Sequence, residues 1–486
     1  MLRVARVTDA TGRYYLADLA SARDPGLPRV ADRRSGVAAG RWTGAGAAEL
    51  GLRGRVDAAS LGAVLSGQHP SEGDQLRVRE TTVRAYDLTF AAPKSASVLF
   101  ALEAPDAAEA VLDAHEMAVA AATRYVAAHA AAVRRTVAGA RPTIGVEGLV
   151  AAIFTHHVSR ALDPHLHSHV VVASLAHGGD SQWRAIDGRG LFAHAQAAGA
   201  LYDAVLRHEV TQRLGFGWSP RQPRGWELTA VGPVLVGAFS SRRAEILAEL
   251  GAYAGRVGGE RRGTPSPRAR ALAWAVTRDP KGTEPPPSEL RTRWAAIARD
   301  AVGSVALEQG ARSRGAPRTE VDEHRFAASI HEAGSRGAAR RDAVRAWSLA
   351  LGTGAPADSI ERCVGALCHW GPGTGVGEAL HAPAEMVPAP YALQALGPRP
   401  ASPEGLAVWL SAASSIARYR GRWDVQDRSC PLGCETGAEL AAMPARRLAD
   451  HLSTSRALDE ALTALGRRDE LARRADRARG LSLDRS

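Results

Sequence analysis

Hydrophobic and polar positions in the first half of the chain predict strands that alternate with long helices. Runs rich in β-branched and aromatic residues predict strands over 85–90, 149–155 and 166–174. A helix is predicted from Pro105 to about Arg135, and another over 191–214 that stops at Gly215, since glycine commonly ends a helix. This mixture predicts an α+β fold.

The second half of the chain has the pattern of helices broken by Gly and Pro loops. The stretch 255–287 is rich in Gly, Pro and charge, which predicts a linker. We therefore expect a first domain over 1–300 and a mainly helical region over 301–486. Five leucines near the C-terminus have spacings that place them on one helix face, which indicates packing rather than chemistry: Leu448, Leu452, Leu458, Leu462 and Leu465.

Composition narrows the class of protein without identifying it. With 45% hydrophobic residues in 486, the chain can bury a core in each domain. Lys and Arg number 61 against 51 Asp and Glu, a net charge of +10 that fits a polyanionic partner and an ordinary basic surface equally well. Lysine occurs only at Lys94 and Lys281, so the abundance of arginine reflects a residue bias.

Cysteine usage and the N-terminus favour a cytoplasmic protein with no membrane span. Four cysteines in a chain of this length do not form a disulfide framework. Their spacings are loose for a zinc site, so buried reduced thiols are favoured over structural zinc; these are Cys363, Cys368, Cys430 and Cys434. The N-terminal segment is charged where a signal peptide would be apolar.

Histidines cluster between two of the predicted strands. Among the 16 histidines, five fall between residues 156 and 169: His156, His157, His165, His167 and His169. His167 and His169 are two residues apart in a Val-rich run, so on a strand both point to the same face.

If the two strands form a hairpin closing around 161–164, residues whose numbers sum to about 325 lie opposite one another. His156 then lies across from His169, with His167 diagonal on the same face. Three imidazoles at cross-strand distances of roughly 5 to 8 Å can share one cation. A three-histidine site leaves coordination positions open, as catalytic sites do. His157 and Ser168 face the other way, and a polar histidine-rich loop remains the alternative.

A cation at this site requires a nucleophile from elsewhere in the chain. The sequence contains no His-Glu-x-x-His signature, and no Cys-x-x-Cys pair accompanies the histidines. Tyr14 and Tyr15 are candidates, because a tyrosine can attack phosphate when a base or a polarised target assists it. Adjacent tyrosines are also ordinary strand or core residues.

These motifs together resemble the relaxase domain of the MobF class of conjugative relaxases, the TrwC-like HUH endonucleases. The resemblance spans roughly residues 1 to 300. Its segments occur in the family's order: Tyr14-Tyr15, RWTGAGAAELGLRG (41–54), YDLTFAAPKSASVLFAL (86–102), THHVSRALDPHLHSHVVVASL (155–175), WRAIDGRGLFAHAQAAGALYDAVLRHEVTQRLGFGW (183–218) and FSSRRAEI (239–246).

The resemblance implies a five-stranded antiparallel sheet flanked by helices, followed by the mainly helical region. It implies a divalent ion, Mg²⁺ or Mn²⁺ with Zn²⁺ as the alternative, held by three histidines: His156, His167 and His169. Tyr14 matches the nucleophile, with Tyr15 as the second candidate. Asp87 matches an acidic residue that orients a ligand histidine or helps to deprotonate the tyrosine.

The implied reaction is a transesterification on single-stranded DNA at an origin of transfer. Tyrosine attacks the scissile phosphate, a 3′-OH leaves, and the protein stays joined to the 5′ end. The implied partners are this DNA, a relaxosome and type IV coupling proteins, with entry into a recipient cell alongside the DNA. Lys94 is a candidate phosphate contact or a helix-end residue. Alternative functions are a non-cleaving origin-binding protein and a metal-dependent phosphodiester hydrolase.

The sequence departs from the family pattern at three places. Residues 16–35 lack the second tyrosine that many members use at termination, and Ser174 stands where the family often has Asn. The glycine-rich stretch 371–380 carries Glu378 and lacks the lysine that would neutralise phosphates, so we expect no NTPase activity.

Overall fold

The structure is a computed structural model. It describes residues 2–9, 40–77, 80–137, 140–221, 225–256, 285–303, 340–368, 395–400, 402–425 and 443–467, together with residues 266, 273, 276–277, 321–322, 325–326, 329, 431–433 and 440. Its contacts divide the chain into two compact units, Met1–Pro317 and Arg318–Ser486. Each unit has its own hydrophobic core.

An antiparallel sheet forms the centre of the first unit. Its strands are β1 (Leu2–Val7), β2 (Arg41–Thr43), β3 (Ala85–Ala91), β4 (Ala132–Arg134), β5 (Thr143–Val158), β6 (Pro164–Gly178) and β7 (Trp183–Arg184). Five of them follow the order β1-β3-β6-β5-β2, while β4 pairs with β5 and β7 with β6. A separate hairpin joins β8 (Trp218–Pro220) to β9 (Trp226–Leu228). The five-stranded antiparallel sheet expected from the sequence is confirmed, with two short strands added.

Helices accompany this sheet along the chain. They are α1 (Ala45–Glu49), α2 (Ala58–Ser66), α3 (Lys94–Leu102), α4 (Pro105–His129), α5 (Gly188–Leu214), α6 (Pro233–Ala238), α7 (Ser241–Arg256) and α8 (Pro287–Val302). Helix α5 ends as predicted, with Gly215 in the left-handed conformation at φ 71°. The prediction that α4 runs to about Arg135 is wrong, because the chain after His129 enters β4 and pairs with β5.

The two faces of the sheet have different surroundings. Helices α4 and α5 cover one face, where the ring of Phe90 on β3 lies 5.4 Å from that of Tyr202 on α5. On the other face, Trp42, Leu61 and Val64 pack with Phe154 in one buried cluster. This cluster covers the part of the sheet next to the predicted histidine site.

The second unit is helical in its described parts, as predicted. Its helices are α9 (Arg340–Ala350), α10 (Ala357–Cys368), α11 (Pro403–Arg422) and α12 (Ala445–Ala464). The leucine stripe lies along α12, where Leu458 and Leu462 pack against the core and Leu452 is 56% exposed. Cys363 is a buried free thiol. Cys430, Cys434 and the glycine-rich stretch 371–380 lie outside the described residues, as does the side chain of Cys368.

The predicted linker and domain boundary stay predictions. Most of 255–287 lies outside the described residues. None of the described helices is long and apolar enough to cross a membrane.

Candidate active site

The β5–β6 hairpin brings three histidines onto one face of the sheet. His156 on β5 lies directly opposite His167 on β6, and His169 is two residues farther along β6. The ring centroids of His156 and His167 are 5.3 Å apart, those of His156 and His169 are 5.4 Å apart, and those of His167 and His169 are 5.3 Å apart. The predicted same-face trio is therefore present.

The predicted register of this hairpin is wrong by two residues. His156 was expected opposite His169, yet its partner is His167, and Phe154 is the partner of His169. Pro164 does not belong to the turn: it is the first residue of β6 and pairs with Val158. The Asp163-Pro164 pair indicated a turn that includes Pro164. A proline is tolerated at the start of a strand, so the turn ends one residue earlier. The ladder is also irregular between His156 and Val158.

Asp87 on β3 contacts the histidine trio directly. Its carboxylate oxygens accept a hydrogen bond from His169 Nδ1 at 2.9 and 3.0 Å. The Thr89 hydroxyl also donates to this carboxylate, at 3.2 Å. Asp87 is buried, with 8% of its surface exposed. A carboxylate at this position fixes the ring orientation and the Nδ1–H tautomer, and the Nε2 lone pair is then available to a ligand.

His167 is held in the same tautomer by the backbone. Its Nδ1 donates to the carbonyl oxygen of His165 at 2.8 Å. Burial, followed by the neighbouring His169, lowers the pKa of His167 to about 4, so the ring is neutral at physiological pH. A neutral imidazole with a free Nε2 lone pair is the form that binds metal ions.

The chemistry of these donors fits a divalent cation, although their positions are not those of a formed metal centre. Within the residues that the structure describes, no group of three or more His, Cys, Asp or Glu side chains stands in a ready metal-binding arrangement. The metal role of His156, His167 and His169 therefore stays a prediction.

A buried polar chain lies beneath the trio, on the helix-covered face of the sheet. The Ser168 hydroxyl is 2.8 Å from Thr155 Oγ1 and 2.8 Å from Nε2 of His115 on α4. Nδ1 of His115 is 2.7 Å from the Tyr202 hydroxyl. His157 packs on this side too, with its ring 4.9 Å from that of Phe100. Ser168 and His157 thus face away from the trio as expected, whereas no local signal pointed to His115.

The other predicted site residues are the tyrosine pair and Lys94. Tyr14 and Tyr15 lie outside the described residues. Lys94 is the first residue of α3, and its Nζ donates to the Pro164 carbonyl oxygen at 2.8 Å. Burial lowers the pKa of Lys94. This contact gives Lys94 a structural role at the start of β6, and its contact with DNA stays a prediction.

Comparisons with known proteins agree on one family. Residues 9–301 match the family model for the TrwC relaxase. The multifunctional conjugation protein TraI of Escherichia coli is 36% identical over 223 residues, and TraI of strain K12 is 35% identical over the same length. Each alignment covers 43% of this chain and 12% of the relative, so the chain matches only a small part of these longer proteins.

Solved structures of the conjugative relaxase TrwC bound to origin-of-transfer DNA are similar to this chain. A copper-bound complex is 30% identical with a TM-score of 0.54, covering 62% of this chain and 98% of the other. A complex with a 27-mer DNA that comprises the recognition hairpin and the cleavage site has a TM-score of 0.52 at 29% identity, with the same coverage.

Proposed function

The chain belongs to the TrwC relaxase family, and on that premise we propose that it is a conjugative relaxase that nicks one DNA strand at an origin of transfer. One observation carries the proposal. The three imidazoles of His156, His167 and His169 lie side by side within the matched region, and Asp87 orients His169. Three imidazoles with a supporting carboxylate on one face are the donor set of a histidine metal site.

The proposed reaction exchanges one phosphate ester for another. The Tyr14 Oη attacks the scissile phosphorus in line and forms the new P–O bond, while the bond to the 3′ oxygen breaks. The tyrosine proton is lost and the departing 3′ oxygen gains a proton, which leaves a free 3′-OH and a 5′-phosphotyrosine adduct. Because the bonds broken and formed are of the same type, the adduct can rejoin DNA ends without ATP. Tyr15 is the second candidate for the nucleophile.

His156, His167 and His169 are the residues that would hold a divalent cation. When bound, such a cation supplies Lewis-acid polarisation of the phosphate oxygens. Asp87 keeps His169 in the required tautomer, and the His165 carbonyl does the same for His167. The proposed cation is Mg²⁺ or Mn²⁺, with Zn²⁺ as the alternative.

The proposed substrate is single-stranded origin-of-transfer DNA. The similar TrwC structures are complexes with origin-of-transfer DNA or with a DNA that comprises the recognition hairpin and the cleavage site, and the net charge of +10 suits a polyanionic substrate. Relaxosome and coupling proteins are the proposed partners.

A cleavage assay tests this proposal. The full chain is incubated with Mn²⁺ and labelled single-stranded oligonucleotides tiled across the DNA that carries its gene, and the products are separated on denaturing gels. Matched reactions use Tyr14→Phe, Tyr15→Phe and a chelator. We expect a slow-migrating covalent adduct in the wild type that is lost in Tyr14→Phe and with the chelator.

Each other outcome contradicts a defined part of the proposal. Free cleaved product without an adduct identifies a hydrolase. A mobility shift on native gels without cleavage identifies a binding protein that no longer nicks. An adduct that survives Tyr14→Phe and disappears in Tyr15→Phe reverses the assignment within the tyrosine pair.

A further inference from the structure

The turn between the two histidine strands is held from outside the hairpin by two helices, and a third helix holds the start of the second strand. The turn spans 159–163 and joins β5 to β6. Within it, Ser159 N–H donates to the Asp163 carbonyl, and Asp163 N–H donates to the Ser159 hydroxyl at 3.1 Å. The external contacts come from α3, α7 and α8, which lie far from the turn in sequence.

The first external contact joins Asp163 to α7. One carboxylate oxygen of Asp163 accepts from the backbone N–H of Ser241 at 3.0 Å, and the other accepts from the Ser241 hydroxyl at 2.9 Å. Asp163 is 5% exposed. Because a buried carboxylate is costly unless it is hydrogen-bonded, this pair of bonds ties the turn to the first residue of α7.

The second contact joins Leu162 to α8. The indole N–H of Trp294 donates to the Leu162 carbonyl at 2.8 Å, and Trp294 is 4% exposed. Leu162 has a φ of 60°, in the left-handed region that a leucine rarely adopts. Such a conformation persists only where surrounding contacts impose it, and the buried indole is one of them.

The third contact joins α3 to the start of β6, the strand that carries two of the histidines. Lys94 on α3 donates to the Pro164 carbonyl at 2.8 Å. Two residues farther along β6, the Leu166 N–H donates to the Ser97 hydroxyl of α3 at 3.1 Å. Leu166 directly precedes His167, so the backbone positions that α3 holds lie next to the trio in sequence.

We infer that Asp163 and Trp294 are positioning residues, which set the hairpin geometry that brings His156 and His167 together. The hydrogen bonds described above show how the hairpin is held. That this affects metal binding by the trio rests on the proposed function. Helices α7 and α8 thereby act on the site although neither contributes a residue to the trio.

The test compares two indole-to-phenyl substitutions in the full chain. Trp294→Phe removes the hydrogen bond to Leu162 and keeps a buried aromatic ring. Trp218→Phe is the matched control, since it removes an indole hydrogen bond of 3.1 Å to Thr211 on α5 instead. Ser241→Ala is a milder second variant that removes one of the two bonds to Asp163. Thermal unfolding verifies that each variant folds.

Two measurements follow. Amide hydrogen exchange over 159–167 reports on the hairpin without reference to any ligand, and titration calorimetry with Mn²⁺ reports on the trio. We expect Trp294→Phe to raise exchange in this segment about tenfold and to weaken Mn²⁺ binding by about tenfold. Ser241→Ala should shift both in the same direction by less, and Trp218→Phe should leave both unchanged.

The outcomes separate this inference from the proposed function. Unchanged exchange in Trp294→Phe overturns the inference whatever the metal result. Faster exchange with unaltered Mn²⁺ affinity also overturns it, because the contacts then stabilise the turn without positioning the trio. A wild-type chain that binds no Mn²⁺ overturns the proposed metal site, and the exchange data still decide whether the helices hold the hairpin.

Discussion

The carboxylate of Asp87 provides the sharpest test of how the histidine site is organised. Asp87→Asn keeps the shape of the side chain and removes its negative charge. The amide oxygen can still accept from His169 Nδ1, and the amide nitrogen can turn its N–H groups toward the Thr89 hydroxyl, which then accepts. The substitution thus changes the electrostatics of the site more than its packing.

The expected magnitude follows from the geometry. His169 and Asp87 form a short hydrogen bond of 2.9 Å, and their side chains are only 17% and 12% exposed, so solvent screens the interaction weakly. Mutation of a residue that accepts a hydrogen bond from a metal-ligating histidine typically weakens metal binding by about 10- to 100-fold, or about 1.4 to 2.7 kcal/mol. We expect Asp87→Asn near the lower limit, since one hydrogen bond remains, and Asp87→Ala near the upper.

Titration calorimetry of the full chain with Mn²⁺ measures this effect. Asp180→Asn is the matched control, since the same change there affects a surface ion pair with Arg184 and no contact with the trio. Circular dichroism and thermal unfolding verify the fold of each variant. Equal Mn²⁺ affinity in the wild type and a folded Asp87→Asn would refute the reasoning, as would an equal loss in Asp180→Asn.

Three further predictions concern the rest of the chain. Arg77→Met removes a buried 2.8 Å hydrogen bond to the Ser174 carbonyl, and urea denaturation should show a loss of about 2 kcal/mol in unfolding free energy. An unchanged unfolding free energy would contradict this prediction. The Arg189 guanidinium holds the pKa of Asp187 well below its ordinary value. The resulting stabilisation should be complete above about pH 5, where an unfolded aspartate is almost fully ionised, and should decline as pH falls further. In thermal unfolding from pH 2 to 6, Asp187→Asn should reduce the decrease in unfolding temperature at low pH. An unchanged decrease would show that Asp187 is not its source. Burial raises the pKa of Cys363 to about 12, so iodoacetamide at pH 8 should label it only after unfolding, as mass spectrometry can verify.

Local residue preferences predicted several of the elements around the site. The strand over 85–90 and the helix ending at Gly215 depend on local preferences, and the structure has both. The same-face placement of the histidines also follows from strand geometry alone, because residues two apart share a face. Thr89 could have been found in this way, two residues after Asp87 on the same strand.

Contacts between distant segments could not be predicted from local sequence. The hairpin register depends on whether Pro164 ends the turn or begins the strand, and the Lys94 contact that holds its carbonyl comes from another element. Trp294 and Ser241 reach the turn from helices 78 to 132 residues away. His115 carries no local signal, because its partners lie on β6 and α5. The end of α4 was misplaced for the same reason, since β4 exists only through its pairing with β5.

In the proposed reaction, a tyrosine of this chain becomes covalently joined to DNA, and the histidine site is required. Intact-mass spectrometry of the full chain, after incubation with a cleavable single-stranded oligonucleotide and Mn²⁺, measures this directly. We expect a mass increase equal to the downstream DNA fragment, an equimolar upstream fragment ending in 3′-OH, and attachment at Tyr14 in the digested adduct. The mass increase and the upstream fragment should disappear in Tyr14→Phe and in His167→Ala. Two free DNA fragments with an unmodified protein, or an adduct that forms equally well in His167→Ala, would contradict it.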